Sequence, residues 1–357
     1  MSATLAVSRP GPDEGDVLVR VEGLVKRFPV PSERLFGRAR EEVRAVDGVS
    51  LDVRRGETLG VVGESGCGKS TLARCITRLY DLTSGRVIFD GDDITGLSRR
   101  RLRPYRRQMQ MIFQDPYGAL NPRRRVGSII ADPFTIHRVA GRAERKRLVQ
   151  ELMELVGLNP EHYNRFPAEF SGGQRQRIGV ARALALHPKL IVCDEPVSAL
   201  DVSIQAQIVN LLADLQRDLD LTYVFIAHDL SVVRHVSDRI AVMYLGKVVE
   251  IAETEELFSR PRHPYTNALL SAVPAIDGNG GARKQRIMLG SDVPSPIDPP
   301  PGCAFHPRCP KARQRCSEDE PRLERKPADS LGHSTACHYP VEPGEELTRG
   351  SEREAPT

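Results

Sequence analysis

From Val17 the chain alternates apolar and polar positions through VLVRVEGLVKRF, breaks at the polar insert PVPSERLFGRAREEV, and resumes in RAVDGVSLDVRRGETLGVVG, whose last apolar run reads as a buried strand. As far as about Leu245, short apolar runs such as LIVCD and YVFIAH then take turns with segments of helical period such as ERKRLVQELMELVG and SIQAQIVNLLADLQRDL. This alternation predicts an α/β fold, a largely parallel sheet with helices on its faces. The pattern stops after HPYTNALLSAVP. There DVPSPIDPPPG forms a proline-rich connector, and residues from about 303 to 340 carry too few aliphatic side chains to build a core alone. Residues 1–16, rich in Gly, Pro and acids, read as a disordered leader, and residues 341–357 as a disordered tail.

Composition narrows this picture modestly. A chain of 357 residues suggests about two domains. Lys and Arg number 51 against 47 Asp and Glu, and a net charge of +4 is too slight to argue for nucleic acid as a partner. The basic residues cluster in RRRLRPYRR (Arg99 to Arg107) and at Arg123 to Arg125, which fits either a solvated face or a surface that meets acidic lipid headgroups or an acidic partner. No stretch approaches the roughly 20 apolar residues of a membrane span, and the first residues lack the charged start and apolar run of a signal peptide. The expected compartment is the cytosol, where thiols stay reduced.

Two motifs carry chemistry. The run Gly63, Glu64, Ser65, Gly66, Cys67, Gly68, Lys69, Ser70, Thr71 fits G-x-x-x-x-G-K-[ST] directly after the strand TLGVV. Its glycines let backbone N–H groups wrap phosphate oxygens, Lys69 would neutralise β- and γ-phosphate charge, and the Ser70 hydroxyl would ligate Mg²⁺. In LIVCDEP an apolar strand ends in two carboxylates: Asp194 suits a Mg²⁺ held through water, and Glu195 suits polarisation of an attacking water. A third segment, Ser171, Gly172, Gly173, Gln174 in FSGGQRQR, reads as helix capping or as a second phosphate-binding helix start that serves a nucleotide held by another chain.

With these residues in that order, the chain resembles the nucleotide-binding subunits of ABC transporters over roughly residues 17–340. Gly63 to Ser70 is similar to Walker A, Gln114 to the Q-loop, Ser171 to Arg175 to the signature, Asp194 and Glu195 to Walker B with its catalytic glutamate, Ser198 to Asp201 to the D-loop, and His228 to the switch histidine. The resemblance implies a RecA-like core with an antiparallel β subdomain over residues 17–260, a helical subdomain at about 115–170, and a head-to-tail dimer closing on two ATP molecules. It further implies Glu195, His228 and Gln114 as catalytic residues, Gln114 also sensing the Mg²⁺ beside Ser70 and Asp194, Asp201 at the shared site, and Phe28 stacked on adenine.

Beyond the ATPase, RHPYTNALLSAVP, GCAFHPRCPKARQRC and HSTACH are similar to the carboxyl region of oligopeptide and dipeptide importer ATPases, in particular their second ATPase subunit type. This implies a heterodimer with a related ATPase, two membrane permeases, an extracytoplasmic peptide-binding protein and a place on the cytoplasmic face of the membrane. Residues 261–302 become a linker and docking segment. Importers of nickel lie close in sequence, and a DNA-handling ABC ATPase is the competing class. Of seven cysteines, Cys67, Cys75 and Cys193 read as small packing residues, while Cys303, Cys309, Cys316 and Cys337 follow C-x5-C-x6-C-x20-C. Four thiolates can hold zinc or an iron-sulfur cluster. The resemblance shifts that balance to a 4Fe-4S cluster in a small cysteine-rich unit at 303–340.

Overall fold

The computed structural model describes residues 16–30, 41–115, 118–272, 287, 289–290, 292–327, 329–345 and 347. The expected leader (except Asp16), the end of the expected tail and most of the polar insert lie outside the described residues.

The strands are β1 (Val17–Pro29), β2 (Glu42–Arg54), β3 (Thr58–Val62), β4 (Ser84–Phe89), β5 (Asp92–Asp93), β6 (Met109–Ile112), β7 (Leu190–Asp194), β8 (Thr222–Ile226), β9 (Arg239–Tyr244), β10 (Lys247–Glu253) and β11 (Ser334–Thr335). They form two sheets. An antiparallel sheet has the order β2-β1-β4-β5, and a larger one the order β11-β10-β9-β3-β8-β7-β6. In the larger sheet β9, β3, β8, β7 and β6 run parallel, with β10 and β11 antiparallel at one edge.

The physical reason lies in burial on both faces. Every residue of β3, β7, β8 and β9 is buried, which parallel strands covered on both sides require. Successive side chains serve different cores. Ile191, Cys193, Tyr223 and Phe225 pack with the helical residues 126–257, whereas Leu190, Val192, Val224 and Ile226 pack against the antiparallel sheet and the helix Lys69–Ile76. Between β6 and residue 171 the described residues hold helices and turns, including Val126–Ile130, Asp132–His137 and Arg142–Leu155.

The parallel order places the carboxyl ends of β3, β7 and β8 side by side. Residues 63–70, 194–195 and 227–228 emerge there, the position where open α/β sheets bind ligands.

The expected cysteine-rich domain requires correction. Residues 303–341 do not stand apart, because they complete the main core. Strand β11 pairs with β10 through Glu250 with Thr335 and Ile251 with Ser334. Phe305, 1% exposed, packs against Tyr244, Tyr265 and His263 at centroid separations of 5.2, 5.4 and 5.7 Å. The buried Glu250 carboxylate accepts hydrogen bonds from the backbone N–H groups of Arg262 (2.6 Å) and His263 (3.0 Å) and lies 2.7 Å from His333 Nε2. A segment poor in aliphatic residues thus folds by borrowing apolar and charged partners from the sheet beside it. Within the expected connector, Pro264–Ser271 is helical and Tyr265 is fully buried.

Candidate functional site

Between the antiparallel sheet and the carboxyl ends of the parallel strands lies an open cleft of about 910 Å³, lined by Phe28, Ser65, Gly66, Gly68, Lys69, Ser70, Thr71, Gln114, Glu195 and His228 among others. The loop after β3 forms its floor. Gly68 has φ +106, and a Cβ there would lie 2.0 Å from the Ala45 carbonyl oxygen, so glycine alone lets the loop pass this close to β2. Lys69 is buried, and its Nζ donates to the carbonyls of Gly63 (2.8 Å) and Glu64 (2.9 Å). The ammonium is therefore held inside the loop by two of its own carbonyl oxygens. Cys67 and Cys75 are packed inside, where burial pushes the Cys75 thiol up to about 11. Burial raises Cys193 as well.

Ser70 Oγ donates to Asp194 Oδ1 at 2.6 Å. The other oxygen, Oδ2, is buried with no hydrogen bond, although Arg74 Nη2 stands 3.7 Å away. Burial raises the Asp194 pKa, while Ser70 and Arg74 oppose that rise. An orphaned carboxylate oxygen beside a serine hydroxyl is a donor set that a hydrated Mg²⁺ fits.

Glu195 follows with φ +47, a left-handed conformation uncommon for a residue with a side chain. Its N–H donates to the Ile226 carbonyl at 3.0 Å, which fixes the turn against β8. Held this way, the carboxylate accepts from Gln114 Nε2 at 2.7 Å and lies 3.6 Å from His228 Nδ1. Strain of this kind concentrates where a side chain must be aimed. Phe28 stands half-buried at the other side of the cleft. Tyr80 meets it edge-on at 5.5 Å, and Lys26 Nζ lies 4.8 Å from its ring centre.

Ser198 of the expected D-loop also lines this cleft, whereas Ser171, Gly172, Gly173, Gln174 and Asp201 do not. Ser171 and Gln174 form a capping box at the helix Gly172–Leu184: Ser171 Oγ accepts from the Gln174 N–H at 3.3 Å, and Gln174 Oε1 from the Ser171 N–H at 3.0 Å. Gly173 sits against Ile204, whose Cγ2 would lie 2.4 Å from a Cβ. Asp201 caps the helix Val202–Leu219 by accepting from the Ile204 N–H at 3.1 Å. The sequence reading missed Tyr80, Tyr265 and Arg308. The Tyr265 hydroxyl accepts from the Glu64 N–H at 2.9 Å, and Arg308 pairs with the Glu64 side chain. No local signal marks these residues: Tyr265 and Arg308 lie 201 and 244 positions from Glu64, and Tyr80, though close to the loop in sequence, gains its place only by meeting the ring of Phe28.

The expected metal cluster also requires correction. Cys303, Cys309, Cys316 and Cys337 do line one cavity, but its volume is about 10 Å³, at most one water molecule and far short of a 4Fe-4S cube. Among the described residues no group of three or more His, Cys, Asp or Glu is arranged to hold a metal ion, zinc included. Burial pushes the Cys309 and Cys337 thiols up to about 12.

Known proteins agree with the geometry of the cleft. Residues 46–198 match the family described as ABC transporter, and residues 249–316 the one described as oligopeptide/dipeptide transporter, C-terminal region. The chain is 52% identical to the oligopeptide transport ATP-binding protein AppF of Bacillus subtilis, covering 90% of this chain and 97% of that one. It is 50% identical to the dipeptide transport ATP-binding protein DppF of Haemophilus influenzae, covering 91% and 98%. Among solved structures, the dimeric post-hydrolysis state of the ATP-binding cassette MJ0796 bound to ADP and Pi matches with a TM-score of 0.58 at 28% identity, over 66% of this chain and 98% of that one. CbiO1 of Clostridium perfringens, part of the transporter complex cbiONQ, matches at 0.59 and 26% identity, over 69% and 92%. The relatives are described as ATP-binding proteins of peptide transport and the described residues hold no metal-binding group, so the expected cluster is withdrawn, and the expected heterodimer finds no support in these comparisons either. At this identity and coverage the chain belongs to the ABC transporter family, as an ATP-hydrolysing, ATP-binding subunit.

Proposed function

We propose that the protein powers import of oligopeptides or dipeptides across the cytoplasmic membrane, docked on membrane permeases that receive peptide from an extracytoplasmic binding protein. The substrate class rests on the names of the half-identical relatives. The chemistry rests above all on one observation, the strained Glu195 carboxylate held by Gln114 and facing His228 at the mouth of the phosphate-loop cleft.

In this reading Glu195 accepts a proton from the attacking water, and Gln114 and His228 orient the carboxylate and that water. Lys69 leaves its two carbonyl partners to neutralise phosphate charge, and the loop N–H groups bind the phosphate oxygens. Ser70 and Asp194 would hold Mg²⁺, which would supply charge neutralisation to the phosphates when bound. Phe28 stacks on the adenine, with Tyr80 bracing its edge.

Ser171, Gly172, Gly173, Gln174 and Asp201 serve a nucleotide held by a facing ATPase subunit, in a head-to-tail pair. Two observations support this: these residues lie outside their own chain's cleft, and Val202, next to Asp201, is an aliphatic residue 81% exposed. Among the described residues no helix is long and apolar enough to cross a membrane, so attachment to the cytoplasmic face runs through the permeases. The test is Glu195→Gln. Turnover falls by about a hundredfold or more while ATP binding is retained; turnover close to the parent protein's would remove Glu195 as the base.

A further inference from the structure

The phosphate loop carries an acidic residue, Glu64, whose side chain does not line the cleft but whose charge stands within the loop that does. Glu64 directly follows Gly63, and a free carboxylate there would repel the phosphates that the loop's N–H groups and Lys69 attract. The structure cancels this charge from the far end of the chain. Arg308 Nη1 donates to Glu64 Oε2 at 2.8 Å, and Nη2 to Oε1 at 3.1 Å, a two-pronged pair across 244 positions. The Arg308 side chain is 8% exposed and that of Glu64 26%, so water screens the pair little.

Both ends are fixed. Arg308 closes the short turn His306–Arg308, in which its N–H donates to the Phe305 carbonyl at 3.0 Å. Phe305 is wedged into the main core, and the Cys303 N–H donates to the Cys316 carbonyl at 2.8 Å. Tyr244 lies beneath the guanidinium, its ring centre 5.9 Å away. On the loop side Tyr265 holds the Glu64 N–H, while the Glu64 carbonyl accepts from Lys69 Nζ. One continuous chain of contacts therefore runs from the cysteine-bearing segment through Arg308 and Glu64 to the lysine that meets the phosphates.

We propose that Arg308 is a positioning residue for ATP binding, which neutralises Glu64 and pins the phosphate loop, and that the carboxyl segment serves as its rigid mount. The proposal rests on the assignment of the cleft as the ATP site, and the experiment separates the two. The full-length protein is titrated with a fluorescent ATP analogue, and steady-state ATPase is measured in parallel. Arg308→Met keeps the apolar stem and raises both Kd and KM about tenfold, with kcat at saturating ATP within about twofold. Arg308→Lys keeps the charge, loses the fork and falls in between. Adding Glu64→Gln to Arg308→Met removes the stranded carboxylate and restores Kd to within about threefold of the parent, a rescue that lost packing alone would not show. Parent-like affinity in Arg308→Met, or no recovery in the double variant, overturns the proposal. If the parent fails to bind the analogue, or Lys69→Ala binds as well as the parent, the assignment of the ATP site falls and takes the proposal with it.

Discussion

At the scale of single residues, the structure holds several ionisable groups away from water, and His263 shows the consequence most directly. Its Nδ1 accepts from the Tyr265 N–H at 3.1 Å and so carries no proton. Burial pushes its pKa down to about 4, against the opposing pull of Glu250. The unfolded chain has an ordinary histidine at about 6.5, so between those values only the unfolded state takes up the proton. Neutral His263 contributes its full stability above pH 6.5, and that contribution is lost as pH falls toward 4, by about 3 kcal/mol in all. Urea unfolding measured across this window is expected to show that loss, and His263→Asn, which retains an acceptor for the Tyr265 N–H, is expected to flatten it. An equally steep decline in the variant would assign the loss to other groups. His333 titrates oppositely: burial alone would lower its pKa, but Glu250 and Glu256 outweigh burial and raise it, so its contribution is present below pH 6.5 and fades as pH rises through its folded value.

At the scale of elements, close approach between strand and helix sets the geometry of the cleft. Gly60, in the middle of β3, faces the helix Leu230–Val236 so closely that a Cβ would lie 2.4 Å from Val233 Cγ1 and 2.6 Å from Ser237 Oγ. That helix begins two residues after His228. Gly60→Val therefore forces the helix outward, at a cost of about 1–3 kcal/mol in chemical denaturation, and lowers kcat by displacing His228 relative to Glu195. Unchanged kcat with unchanged stability would show that the helix yields freely. The same strand illustrates what a sequence discloses. TLGVV, LIVCD and YVFIA are legible because burial on both faces demands unbroken apolar runs, and the phosphate loop because its chemistry is local to nine residues. The two-residue strands β5 and β11 are too short to carry a period, and β11 is a strand only because β10 offers it an edge. Arg308 was invisible for a related reason: its meaning depends on Glu64, and only the folded chain brings the two together.

At the scale of the whole molecule, the carboxyl segment decides whether the protein is one cooperative unit or two. Its poverty in aliphatic residues suggested a separate unit held by a metal, but Phe305 belongs to the same apolar cluster as Tyr223, Phe225 and Leu257, and His333 reaches the buried Glu250 of β10. Stability is therefore shared across the boundary, and a defect in the segment must be felt in the sheet. Phe305→Ala removes a fully buried ring from among three other rings, at a cost of about 3–5 kcal/mol. Because the core is common, the loss is expected to shift one transition, with far-ultraviolet circular dichroism and tyrosine fluorescence moving together to lower denaturant. An early, separate transition of the segment, with the sheet unfolding at its original midpoint, would show instead that residues 303–341 fold independently. The shared transition also follows from the path to the ATP site: Phe305 fixes the turn that carries Arg308, so the variant should weaken ATP binding at denaturant concentrations well below its unfolding midpoint.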